Sequence, residues 1–309
     1  MSEIIEITDG LKFPEGPVAM PDGSVILVEM FAWRLTRVHP DGTTQTVAEV
    51  PGGPNGLAMG PGGKLFLCNN GGRFTEAELE GLCFPAGVTP ENYIGGRIQT
   101  VDIDSGEVVD LYTECDGVPL GAPNDLVFDD QGGFYFTDHG LDEAHKRLYH
   151  IPGIYYARAD GSEIREIVHP SRDPNGIGLS PDGAKLYWAE TWTGRIFQRD
   201  IAAPGQLAEV SVLDTTQCLH GFPGFQLLDS LGVDAAGNVC VATLVTGGVS
   251  VVSPEGELID YVHTGDPLTT NVTFGGPDLS TAYITLSGTG KLVKTQWPRP
   301  GVALNYLNQ

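Results

Sequence analysis

Six oxygen-bearing residues recur along the chain in the same local setting. Glu15, Asn55, Asn124, Asn175, Asp229 and Asn271 each open a short apolar run, most of which lead into a Gly-containing turn. Carboxylates and amide carbonyls are hard oxygen donors of the kind that Ca²⁺, Mg²⁺ and Mn²⁺ prefer, and two negative charges among neutral amides suit one divalent cation. Asn before Gly is also ordinary turn chemistry, so one copy alone carries no message. The register carries it: a polar residue heads the apolar run in every copy, and two of the six are carboxylates.

Other chemistries find little support. The seven histidines (39, 139, 145, 150, 169, 220 and 263) include no His-Glu-x-x-His pair, and no Gly-x-Ser-x-Gly elbow is present, Ser180 and Ser230 lying in turn or strand contexts. Cys68, Cys83, Cys115, Cys218 and Cys240 are odd in number, irregularly spaced and free of Cys-x-x-Cys, which predicts buried thiols instead of a disulfide framework or zinc ribbon. A net charge of -23, from 17 basic and 40 acidic residues, repels nucleic acid and anionic membrane surfaces and favours cations. The first residues lack a basic, apolar secretory pattern, and no apolar run is long enough to span a bilayer, so a cytoplasmic protein without membrane or nucleic-acid partners is expected.

The elements that position the six residues repeat with them. In one copy Pro123-Asn124-Asp125 leads into an apolar strand, a turn at Gly132-Gly133 and a second strand ending at Asp138. Equivalent phrases open at 15, 55, 175, 229 and, more weakly, 271, separated by 40, 69, 51, 54 and 42 residues. Those intervals match a four-stranded blade, each phrase supplying two strands and a further pair following, as at 33–47 and 154–168. The pattern predicts an all-β, six-bladed β-propeller, one domain over 1–309. Its last blade has only one strand after the phrase, 291–295, and residues 4–7 are expected to complete it and close the ring. The long interval holds an insertion at about 70–95, read either as a surface loop or as a lid, with a short helical turn expected at 77–80.

In a propeller the first strand of each blade lines the central axis, so equivalent positions become neighbours. The six residues are therefore predicted to form a ring at one mouth of the channel.

The phrases Phe13-Pro14-Glu15-Gly16-Pro17, Pro123-Asn124-Asp125, Pro174-Asn175-Gly176 and Asp229 ahead of Gly237-Asn238 resemble the senescence-marker-protein (regucalcin)/gluconolactonase family over roughly residues 10–295. The resemblance implies a propeller that binds one divalent metal ion, Ca²⁺ foremost with Mg²⁺, Mn²⁺, Zn²⁺ or Fe²⁺ as alternatives, and opens a small lactone. It implies Glu15, Asn175 and Asp229 as direct metal ligands, Asn124 as a ligand or substrate contact, and Asp229 also as general base. Asn55 and Asn271 are expected to line the substrate pocket, with His139, Trp192, Phe222 and Phe225 as neighbours that shape it or pack beside it. Animal members carry an Arg that grips substrate two residues before the residue matching Asn124; here that residue is Ala122, which shifts the expectation from sugar lactones towards less polar ones. Phosphotriester hydrolysis at a similar calcium ring and a non-catalytic metal-binding propeller are the competing readings.

Overall fold

The computed structural model describes residues 3–308 apart from 88, 144, 145, 151, 212 and 213, with the backbone alone at 142–143 and 146–150. His145 and His150 therefore lie outside the described side chains. Alternating apolar runs joined by Gly turns give six antiparallel blades, five of four strands and blade 4 with a short fifth strand, Gln206–Leu207, paired to its third. Blade 1 holds Pro14–Ala19, Val25–Glu29, Arg34–Val38 and Thr44–Glu49; blade 2 holds Pro54–Met59, Leu65–Asn69, Arg97–Val101 and Val108–Tyr112. Blade 3 holds Pro123–Phe128, Gly133–Asp138, Gly153–Arg158 and Ile164–Val168, and blade 4 holds Pro174–Leu179, Lys185–Glu190, Arg195–Ala203 and Cys218–Gly221. Blade 5 is Leu228–Val233, Val239–Thr243, Gly248–Val252 and Leu258–His263. Blade 6 takes Thr269–Gly275, Thr281–Leu286 and Lys291–Gln296 from the end of the chain and Ile5–Thr8 from its start, as the repeat pattern predicts.

The first strands touch one another all the way round, blade 6 against blade 1 included. Packed between two neighbours, they are buried along nearly their whole length, whereas outermost strands such as Thr44–Glu49 are mostly exposed. Aromatic and aliphatic side chains fill the gaps between blades; Phe66 of blade 2 meets Phe128 of blade 3 edge-on at 4.9 Å between ring centres.

Each first strand is bulged at its head. Pro54 pairs with Asn69 and Leu57 with Leu67, so three steps on one strand match two on its partner; the same offset occurs at Pro123/Leu126, Pro174/Ile177 and Leu228/Leu231. Blades 1 and 6 carry an irregularity at Glu15/Val18 and Thr269/Asn271. The ring residues lie at these bulges, which re-aim a side chain and break the ladder locally.

The glycine after the ring residue serves close packing of the first strands. A Cβ on Gly56 would come 2.5 Å from the carbonyl oxygen of Asn124, and one on Gly176 would come 2.4 Å from the amide nitrogen of Leu231. Neighbouring first strands thus approach backbone to backbone at the axis.

Two expectations fail. Residues 77–80 do not form a helical turn: Thr75–Leu79 and Leu82–Ala86 make a β-hairpin around Glu80 and Gly81, both with positive φ. The alternating Thr75-Glu76-Ala77-Glu78-Leu79 has the period of a strand, and the left-handed pair is the two-residue turn that matches strand twist. The cysteines, all free, are also not uniformly buried, since Cys83 and Cys218 are only partly so.

At the opposite end of the channel the chain runs back across the axis. Val302 donates its N–H to Val233 O at 3.0 Å, Asn305 Nδ2 donates to Phe128 O at 3.0 Å, and Tyr306 packs edge-on against Phe128. No helix among the described residues is long and apolar enough to cross a membrane.

Candidate metal centre

The predicted ring is assembled at the mouth where the first strands begin. Glu15, Asn55, Asn124, Asn175 and Asn271 are buried, and Asp229 is partly exposed. Glu15 Oε2 accepts hydrogen bonds from its neighbour Gly16 N at 2.9 Å and from Asn271 Nδ2 at 3.0 Å. Asn175 is steadied by Thr191 Oγ1, 3.2 Å from its Nδ2, which aims the carboxamide toward Asp229. Asn124 Oδ1 is buried and has no hydrogen-bond partner.

Electrostatics single out the same cluster. Burial pushes the Glu15 carboxyl up, against hydrogen bonds from Thr270, Asn271 and Gly16 that pull it down. Asp229 is raised well above the carboxylate range, first by burial and then by the charge of Glu15, with Asp125 adding to it. Both acids are made harder to ionise by burial and Asp229 also by the charge of Glu15, a condition that a nearby cation relieves.

The donor set fits a hard divalent cation. It offers two carboxylates and amide oxygens, one of them the orphaned Asn124 Oδ1, and such an orphan normally has a partner. Among the described residues no group of three or more His, Cys, Asp or Glu side chains is placed to hold a metal ion, so a thiolate or imidazole cage has no counterpart here.

One member of the site was not read from the sequence. Asp125 stands where three other copies have glycine, and its buried carboxyl, pushed up to about 7 mainly by burial and then by the charge of Glu15, accepts a hydrogen bond from Leu126 N at 2.9 Å. The signal was present as an acid at a position filled elsewhere by Gly16, Gly56, Gly176, Ser230 and Val272.

The other predicted neighbours divide. His139 is buried beside the ring, its N–H on Ala122 O and its Nδ1 3.7 Å from Asp173. Trp192 adjoins Thr191 but is 64% exposed, and Phe225 is exposed as well. Phe222, just past the last strand of blade 4, packs edge-on against His220 of that strand at 4.6 Å.

The insertion in blade 2 reaches over this end. Cys83 N donates to Gly288 O in a blade 6 loop at 2.9 Å, and Glu76 meets Lys12, which precedes blade 1. Farther along the insertion, Tyr93 Oη donates to Gly121 O at the entry to blade 3. The segment thus ties blade 6 to blade 3 across the mouth face.

Residues 13–288 match the family model of the SMP-30/gluconolactonase/LRE-like region. The chain belongs to that family. It is 26% identical over 298 residues to a gluconolactonase of Zymomonas mobilis, covering 87% of this chain and 75% of that one. It is 27% identical over 261 residues to lactonase drp35 of Staphylococcus epidermidis, covering 84% and 71%. Among solved structures it is similar to a calcium-binding regucalcin of Agrobacterium tumefaciens, with a TM-score of 0.73 at 17% identity and 98% of each chain covered. That likeness is one of fold.

Proposed function

We propose that this chain is a divalent-metal-dependent lactonase. The observation that carries the reading is the buried, unpartnered Asn124 Oδ1 in a ring with two carboxylates that burial makes harder to ionise, the charge of Glu15 raising Asp229 further. Glu15, Asn124, Asn175 and Asp229 would hold the ion. A bound divalent cation supplies Lewis-acid polarisation of a carbonyl and lowers the pKa of water.

The remaining work falls to the chain's own groups. Asp229, partly exposed at the mouth, accepts the proton of the water that attacks the lactone carbonyl, and returns it to the alkoxide as the ring opens. Asn271 holds Glu15 Oε2, and Thr191 holds Asn175, so the donors are pre-oriented. Asn55 and His139 would contact the substrate. The 75–86 hairpin and the Tyr93 segment act as a lid that limits water at the mouth.

Support comes from two lactone-opening relatives by name and from the calcium-binding fold neighbour. The test is a panel of lactones and one phosphotriester, assayed after chelation and with Ca²⁺, Mg²⁺, Mn²⁺, Zn²⁺ or Fe²⁺ restored. Metal-restored lactone turnover is expected. Phosphotriester turnover alone would transfer the site to phosphoester chemistry, and no turnover with any ion would leave a binding propeller.

A further inference from the structure

The mouth face is apolar at its rim. Trp33, Ile94, Trp192, Phe225 and Val245 are exposed in loops at this end, with Leu79 at the end of a hairpin strand, whereas the large apolar side chains exposed towards the opposite end, Leu258 and Leu304 among them, include no aromatic ring among the described residues. Exposed aromatic groups gathered on the face that holds the site mark a binding surface.

Beside the hairpin this rim deepens into a cavity of about 300 Å³, walled by Phe31, Trp33, Pro51, Phe74 and Ile94, with Glu76 at its edge held by Lys12. That volume lies at the small end of ligand pockets. Its inner wall is one layer from the ring. Phe31 packs against Phe13 at 5.4 Å between ring centres, two residues before Glu15. Gly71 also lines the cavity and follows Asn70, whose side chain lies so close to Gly53 that a Cβ there would come 1.9 Å from Asn70 Oδ1; Asn55 is two residues on.

We propose that this cavity receives an apolar substituent of the lactone, so that the substrate class is an alkyl- or aryl-substituted lactone and not a polyhydroxylated sugar lactone. The inference rests on the lactonase reading above. The polar lining is confined to Thr75, Glu76 and Asn92, so a hydroxyl-rich ring would leave most of its polar groups facing Phe31, Trp33, Phe74 and Ile94, while an alkyl chain gains by burial against them. The half-exposed Trp33 and Ile94 (48% and 47%) carry little of the fold, so shortening them tests the pocket without unfolding the chain.

The experiment compares kcat/KM for δ-decalactone, unsubstituted δ-valerolactone and glucono-δ-lactone in wild type, Trp33→Ala and Ile94→Ala. Wild type is expected to favour δ-decalactone over both others by at least about tenfold. Each variant is expected to raise KM for δ-decalactone several-fold while leaving δ-valerolactone turnover unchanged. Preference for glucono-δ-lactone, or equal loss on alkyl and unsubstituted lactones, overturns the assignment, as does a change in oligomeric state in the variants with kinetics intact, which would mark the rim as a protein contact. Tryptophan fluorescence titrated with the alkyl lactam of the same chain length separates this inference from the parent one: a response lost in Trp33→Phe supports the pocket even if no lactone turns over, and no response in wild type rejects it.

Discussion

Asn271 Nδ2 donates to Glu15 Oε2 at 3.0 Å, joining residues 256 positions apart where the last blade meets the first. The bond both closes the ring at its polar end and fixes the orientation of a proposed metal ligand. Asn271→Leu removes the donor while keeping most of the volume. Hydrogen bonds to a charged group are worth about 1.5–3 kcal/mol, so Ca²⁺ affinity by calorimetry is expected to fall roughly 10- to 100-fold. An unchanged affinity would detach Glu15 from the ion.

Asp229→Asn keeps the shape of the ring but removes the group placed to accept a proton. At saturating metal, kcat on the best lactone is expected to fall about 10²- to 10⁴-fold. Equal kcat in mutant and wild type would reject Asp229 as the base. Metal affinity should fall as well, because one of two negative charges is lost.

The acids on the axis give the metal-free protein a distinctive pH dependence. Asp125 is pushed up to about 7 by burial and by Glu15, and Glu15 and Asp229 are raised too, by burial first. Between about pH 4 and 7 the folded chain therefore binds more protons than the unfolded one, so stability falls as pH rises through that window. In chelator, Tm is expected to be lower at pH 8 than at pH 5.5, and Asp125→Asn to flatten the difference. Added Ca²⁺ should raise Tm more at pH 8, where the carboxylates are ionised and no proton competes.

Gly56→Ala tests the close approach of first strands. Its Cβ would meet the Asn124 carbonyl at 2.5 Å and Asp125 Cα at 2.6 Å, both backbone atoms that cannot move aside singly. A loss of about 1–3 kcal/mol in chemical denaturation is expected, together with weaker metal binding through the displaced Asn124. Gly183→Ala, in a bottom turn with nothing within 4 Å of the new Cβ, is the control for strain without crowding, since its φ is +68°. Metal affinity should survive there.

Removal of the hairpin, by joining 74 to 87 through a short Gly/Ser turn, tests the lid. Its anchors to the body include the Cys83–Gly288 hydrogen bond and the Lys12–Glu76 pair, so global stability should change little. Lactone turnover should drop while metal affinity holds; turnover equal to wild type would make the insertion a surface ornament.

Much of this protein is local, and so legible in its sequence. Each blade is specified by its own alternating strands and Gly turns, and sixfold recurrence converts weak signals into an architecture, down to the strand at 5–8 that completes blade 6. The ring was legible for the same reason: residues at one register of a repeat must share one distance from the axis.

What the sequence leaves open is set by contacts between parts of the chain that have no common period. The hairpin at 75–86 falls inside an insertion with no repeat to align it, and its reach to Gly288 depends on a blade four blades further along the chain. Asp125 reads as a strand residue until the first strands of blades 2 and 3 close on each other and leave its carboxyl buried near Glu15. The sequence by itself determined which residues ring the axis, because periodicity is a one-dimensional property. Only the tertiary structure decided how those residues are buried, charged and covered, because burial and electrostatics depend on distances between strands that the chain order does not contain.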